Sequence, residues 1–130
     1  MNKSTEKDTK NAESTQQQAE QYGATAKYIP YSPYKLRPIA DIVRGKDVLY
    51  ALRWLTTYRT RRVQSIKKVL ESAVANAKNR NNVDSSALMI KEICVDQGPI
   101  QKYFKPGAQG RAQIQRRRLC HISVTLQTKS

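Results

Sequence analysis

The sequence predicts an α+β domain in which three helices pack on a small antiparallel sheet, with a long β-hairpin protruding from it. Three observations carry this. Apolar residues with helical spacing are confined to the stretch from about residue 33 to 80, and strand-like runs follow only after it. Between those runs, Gln97 to Arg118 form a 22-residue stretch with six cations, no acid and few large apolar side chains. Helices first and strands after, without an internal repeat, describe layers segregated to the two sides of one core. Structureless loops beyond ~12–15 residues are uncommon in compact domains. The cationic stretch is therefore read as two strands continuing outward into an arm that becomes ordered against a polyanion.

Residues 1–25 are assigned to a disordered polar tail, and residues 26–130 to a single domain whose extended hairpin covers about 88–126. The tail is rich in Gln, Ser, Thr and Lys and begins with a segment lacking Leu, Ile, Val and Phe, so it has little apolar surface to offset the entropy of ordering. Ser32 is placed to cap a first helix and Pro33 suits its first position. Leu36, Ile39, Ala40 and Val43 then recur at i, i+3, i+4 and i+7, and Gly45 supplies the stop. Pro38 lies inside that helix and is expected to distort it or delay its start.

Asp47 is placed to cap a second, short helix with Val48, Ala51, Leu52 and Leu55 on one face, closed by Trp54 and Tyr58. A third helix, starting near Thr60, carries a continuous stripe of Val63, Ile66, Leu70, Ala73, Val74 and Ala77. Polar turn residues from Asn79 to Asp84 end it. Leu88–Val95 and Leu119–Leu126 read as strands. In the second, Cys120, Ile122, Val124 and Leu126 alternate with His121, Ser123 and Thr125, the pattern of a half-buried antiparallel strand. The first is less regular, because Lys91 and Glu92 interrupt both faces. If the strands continue to a turn near Pro106 to Gly110, each side of the hairpin runs about 18 residues, or roughly 60 Å.

The formal charge of +14 and pI near 10.1 favour a polyanionic partner. The first 23 residues hold four acids against three lysines, so the basic excess lies beyond them. No run approaches the roughly 18 apolar residues of a membrane span, and residues 1 to 23 lack the pattern of a secretion signal or transit peptide. A cytoplasmic protein with reduced thiols is expected. A hairpin symmetric about Gly107 would place Cys94 opposite Cys120. With His121 these two cysteines fall short of the four ligands of a structural zinc site, and no nucleophile, paired carboxylate or phosphate-loop motif occurs. Neither an enzyme nor a cofactor is expected.

The cations fall in three places. The first helix begins with Lys35 and Arg37 and the third with Arg61 and Arg62, where the helix dipole opposes positive charge unless an anion sits there too. The arm carries Lys102, Lys105 and Arg111 among Tyr103 and Phe104, whose rings offer stacking faces. Arg116, Arg117 and Arg118 stand at its base, where alternation points successive side chains to opposite sides. Ordinary solvation is the alternative for each cation taken singly. A DNA-bending protein is an alternative for the whole chain, but such proteins usually wedge apolar tips between base steps. A membrane binder needs an amphipathic basic helix, and the stripe of the third helix is better used as core.

Ordered blocks of residues also resemble a known family. They are Ser32-Pro33-Tyr34-Lys35-Leu36-Arg37 with Ile42-Val43-Arg44-Gly45-Lys46, the run from Lys68 to Ala77, Val95-Asp96-Gln97-Gly98-Pro99, and Gly110-Arg111-Ala112 ahead of Cys120-His121-Ile122-Ser123-Val124. From about Ala26 to Thr128 the chain is similar to the ribosomal protein L-twenty-two family of the large subunit, in its bacterial form. The resemblance implies a body seated on large-subunit rRNA, a role in assembly, and a hairpin whose tip lines the polypeptide exit tunnel. Partners so implied are large-subunit rRNA, neighbouring ribosomal proteins and the nascent polypeptide near the tip, with no membrane and no self-association. Arg44 and Lys46 thereby join the RNA-binding set. The implied tip comprises Gln101, Lys102, Tyr103, Phe104, Lys105, Pro106, Gly107, Ala108, Gln109 and Gly110, running up to Arg111. Tyr103, Gly107 and Gln109 stand where the family commonly has basic residues, so the tip is less cationic than the resemblance leads one to expect.

Overall fold

The computed structural model describes residues 20–129. Its elements are β1 (Gln21–Ile29), α1 (Pro33–Val43), α2 (Val48–Thr57), α3 (Val63–Asn81), β2 (Leu88–Pro106) and β3 (Ala112–Thr128). The strands form one antiparallel sheet in the order β1-β3-β2. Contacts place α3 over β1 and β3 and α1 over β2, which makes the three-helix α+β arrangement a matter of observation. A single cluster of buried side chains joins helices to sheet. Leu36 and Val43 of α1, Ile66 and Leu70 of α3, and Ile122, Val124 and Leu126 of β3 are all at most 1% exposed.

β1 departs from expectation. It takes in residues 21–25, which the composition assigned to the tail; residues 1–19 of that tail lie outside the described residues. Its pairing runs from Gln21↔Gln127 to Ala26↔Ile122 and resumes at Ile29↔Cys120. Only Tyr22, 2% exposed, brings a large side chain to the core in the first half of the strand, while Ala24 and Ala26 pack beside it half-buried. Small residues with period 2 leave a weak strand signal. What recruits the segment is the free edge of β3, and α3 secures it by donating from Asn76 Nδ2 to the Gly23 carbonyl at 3.0 Å.

The helices hold some local surprises. α1 starts at Pro33 and passes through Pro38 without a break, so the expected late start does not occur. Ser32 is extended but makes no side-chain capping bond; the Lys35 N–H closes a tight first turn on the Ser32 carbonyl at 3.1 Å. Asp47 likewise makes no capping bond, and its carboxylate instead accepts from Lys129 Nζ at 3.0 Å. The chain turns into α3 from Thr60 through three successive i→i+3 bonds and leaves it through Asn82, at φ +52°.

Two one-residue bulges shape the hairpin. Between Ile90↔Leu126 and Glu92↔Thr125 the register slips by one residue, which expels Lys91 and resets the buried set from Leu88 and Ile90 to Ile93 and Val95. This explains the irregular pattern of the strand: the alternation changes phase at the bulge. The second slip, between Gln97↔Cys120 and Ile100↔Arg118, holds Gly98 and Pro99. Cys94 consequently pairs with Ser123 and Cys120 with Gln97, so the two cysteines do not face each other as a symmetric hairpin would have them. Both are free thiols. Beyond Gln97 the arm consists of paired strands up to Pro106↔Ala112, closed by a turn in which the Gly107 N–H donates to the Arg111 carbonyl at 2.6 Å.

Candidate nucleic-acid interface

The two basic helix starts and the base of the arm meet in space. An open cleft of about 480 Å³ is lined by Pro30, Tyr31, Ser32 and Lys35 at the start of α1, Arg62 at the start of α3, and Arg116, Arg117 and Arg118 at the base of the arm. β3 runs beside β1, and β1 feeds directly into α1, so the sheet register carries the arm's base to that helix start. Neither α1 nor α3 has an acid in its first turn. Among the described residues, the ion pairs involve none of the cleft cations. Five cations without acidic partners among the described residues, next to the positive end of α1, give the cleft a positive potential.

The arm adds to the same field. Lys102 lies directly across from Arg116, and Gln101 across from Arg117. Like charges facing each other across a strand pair repel, and the stretch from Gln97 to Arg118 has no acid to relieve them. Arg116 and Arg118 share one face with Lys102, Phe104 and Ile114; Arg117 shares the other with Tyr103 and Lys105. Lys102, Tyr103, Phe104, Lys105 and Arg111 are all exposed. At the tip, Gln109 and Gly110 adopt φ of +57° and +74°, a left-handed turn that glycine enters freely and glutamine at a cost.

Not every predicted RNA contact stands free. Arg37 Nε donates to the Val95 carbonyl at 3.3 Å, and Arg44 donates from one nitrogen to the Ile93 carbonyl at 2.9 Å and from the other to Asp41 Oδ1 at 2.8 Å. Ile93 and Val95 belong to β2, an edge strand whose outer carbonyls the sheet leaves unpaired. The two arginines, one in α1 and one immediately after its last residue, cover that edge as proteins commonly cover theirs. Lys46 helps through its backbone, accepting from the Ile90 N–H at 3.0 Å, and its side chain is exposed away from the cleft. Arg61 is exposed beside Arg62 but does not line the cleft.

Pro30, Tyr31 and Ser32 were missed as cleft residues, and so was Tyr34 as an exposed aromatic beside them. The available signal was the spacing of Tyr28, Tyr31 and Tyr34 just ahead of Lys35 and Arg37. Tyr28 has another role: at φ +58° its N–H donates to His121 Nδ1 at 3.0 Å, and its ring meets the imidazole edge-on at 5.0 Å. That pair sits at the irregularity within β1, between the Ala26↔Ile122 and Ile29↔Cys120 pairings, shortly before the cleft residues Pro30 to Ser32.

Residues 24–127 match the model of the family described as ribosomal protein L22p/L17e. The chain belongs to this family. Among its relatives, the large ribosomal subunit protein uL22 of Syntrophomonas wolfei is 44% identical over 106 residues, covering 82% of this chain and 94% of that protein. The protein of the same name from Syntrophus aciditrophicus is 48% identical over 106 residues, covering 82% and 96%. The large ribosomal subunit protein uL22c of Chlorokybus atmophyticus is 47% identical over 103 residues, covering 79% and 87%. Members of this ribosomal family are structural proteins, and the chain is not an enzyme. Among the described residues no helix is long and apolar enough to cross a membrane.

Proposed function

We propose that this protein is a structural constituent of the large ribosomal subunit that binds large-subunit rRNA, supports its assembly and extends its hairpin toward the polypeptide exit tunnel. The observation that carries the reading is the convergence of Lys35, Arg62 and Arg116 to Arg118, from three separate elements, on one cleft without an acid. Phosphates in that cleft anchor and orient the body, since backbone contacts position a protein without reading sequence. The arm, from Gln97 to the turn at Gly107–Arg111, then projects into the RNA with Lys102, Lys105 and Arg111 along it. Its tip, Gln101 to Gly110, faces the nascent polypeptide, and the body meets neighbouring ribosomal proteins. The site of action is the ribosome of the cytoplasm.

Replacing Arg116, Arg117 and Arg118 together with Ala tests the reading. The slope of log affinity against log salt should fall by roughly 2–3 for an rRNA fragment, at about 0.7–0.9 per lost phosphate contact, while the urea midpoint stays close to that of the parent. An unchanged slope refutes phosphate binding in the cleft. Co-sedimentation tests the assembly: the parent protein should travel with large subunits at moderate salt, and its release to the nucleoid would refute a ribosomal role.

A further inference from the structure

Tyr34 stands in the first turn of α1, next to cleft residue Lys35, yet 63% of it is exposed and it takes no part in the core. Its ring is not loose. The guanidinium of Arg37 lies over one face, 5.2 Å from the ring centroid, within the range of a cation–π contact. Arg37 is itself tied to the sheet edge by its bond to the Val95 carbonyl. An anchored cation backs one face of the ring, and most of the residue stays exposed to solvent. Aromatic faces beside a basic groove stack unpaired bases, and holding the ring in place beforehand lowers the cost of doing so.

We propose that Tyr34, backed by Arg37, is a stacking platform for one unpaired base of the RNA whose phosphates occupy the cleft. The inference rests on the phosphate reading given above and adds the class of RNA: a bulged or looped strand, not a uniform duplex. Unpaired bases are the parts of RNA that proteins read by stacking. Under this proposal the cleft supplies salt-dependent affinity, while Tyr34 supplies a preference that salt does not screen.

The test uses the full chain and two RNA hairpins, one fully paired and one identical except for a single unpaired 2-aminopurine. The parent protein should bind the bulged hairpin more tightly and quench its fluorescence. Tyr34→Ala should weaken binding to the bulged hairpin by about 5- to 150-fold, the range for loss of one base–aromatic stack, and leave its salt slope unchanged. Tyr34→Leu keeps apolar bulk without a π-face and should behave like the alanine variant, with a thermal melt verifying that both are folded. The triple arginine variant should lower the salt slope on both hairpins yet keep the preference for the bulge. Equal binding of the two hairpins, with Tyr34→Ala matching the parent, overturns the platform and leaves the cleft standing. So does an equal loss on both hairpins with a reduced slope, since that marks a phosphate contact. Failure of the parent to bind either hairpin overturns the phosphate reading together with the platform.

Discussion

Arg44 illustrates how a cation in a basic protein divides its work. Its guanidinium spans Asp41 in the last turn of α1 and the Ile93 carbonyl on β2, a fork that lysine cannot reproduce. Because the side chain is 48% exposed, solvent screens the pair with Asp41 and the bond to the sheet edge contributes most. Arg44→Ala should therefore lower stability by roughly 1 kcal/mol in urea unfolding, and Arg44→Lys should recover only part of it. Arg116 to Arg118 should behave oppositely, affecting RNA binding more than stability. The cysteines offer a second test at this scale. Cys94 Sγ donates to Glu92 Oε1 at 3.2 Å, and that bond, more than burial, raises its pKa; burial raises that of Cys120. A thiol proton held more tightly in the folded state stabilises it fully below the ordinary thiol range. That stabilisation is lost as pH rises through the raised values. Near pH 8, Glu92→Gln should speed alkylation of Cys94 by iodoacetamide, while Cys120 should react only on unfolding. Equal rates in parent and variant would show that the Glu92 bond does not govern the thiol.

At the scale of elements, the hairpin depends on where its register slips. An added Cβ at Gly98 would lie 3.1 Å from the Leu119 carbonyl carbon and oxygen and 3.3 Å from the Cys120 nitrogen. These are backbone atoms of the central strand, which cannot rotate aside as a side chain could. Gly98→Ala should destabilise the domain by about 1–3 kcal/mol in urea unfolding, the usual range for overpacking. The amide shifts of Leu119 and Cys120 should move while those of the tip stay in place; an unchanged midpoint would mean that the bulge yields freely. The bulges also show what the sequence could reveal. β3 was legible because its buried face, Cys120 to Leu126, alternates without interruption; β2 was blurred because Lys91 shifts the phase. β1 was invisible in composition because alanine and glycine occupy positions where a strand usually shows branched or aromatic residues, and its partner lies about 100 positions away in the chain. In the cleft, each cation was visible singly. Their convergence was not, since it depends on β1 bringing the start of α1 beside the base of the arm.

For the whole molecule, β1 changes where the functional chain begins. Composition alone would allow residues 1–23 to be removed without loss, yet the sheet has three strands and β1 supplies one of its edges. Removing residues 1–19 leaves each described pairing of the sheet, from Gln21↔Gln127 onward, and each residue of the buried cluster in place. Removing residues 1–23 deletes the pairings of Gln21, Tyr22 and Gly23 with Gln127, Leu126 and Thr125. It also deletes the bond from Asn76 to Gly23 and takes Tyr22 out of the core. Loss of a buried aromatic alone costs about 3–5 kcal/mol, a large share of the roughly 5–15 kcal/mol that stabilises a typical domain. The formal charge of +14 adds self-repulsion that a weakened core must still overcome. The shorter truncation should match the full chain in thermal melting and in incorporation into large subunits. The longer one should melt well below it, with a smaller deficit when rRNA is present, because a ligand bound only by the folded state restores stability. Equal melting temperatures for the two truncations would refute a structural role for the first residues of β1.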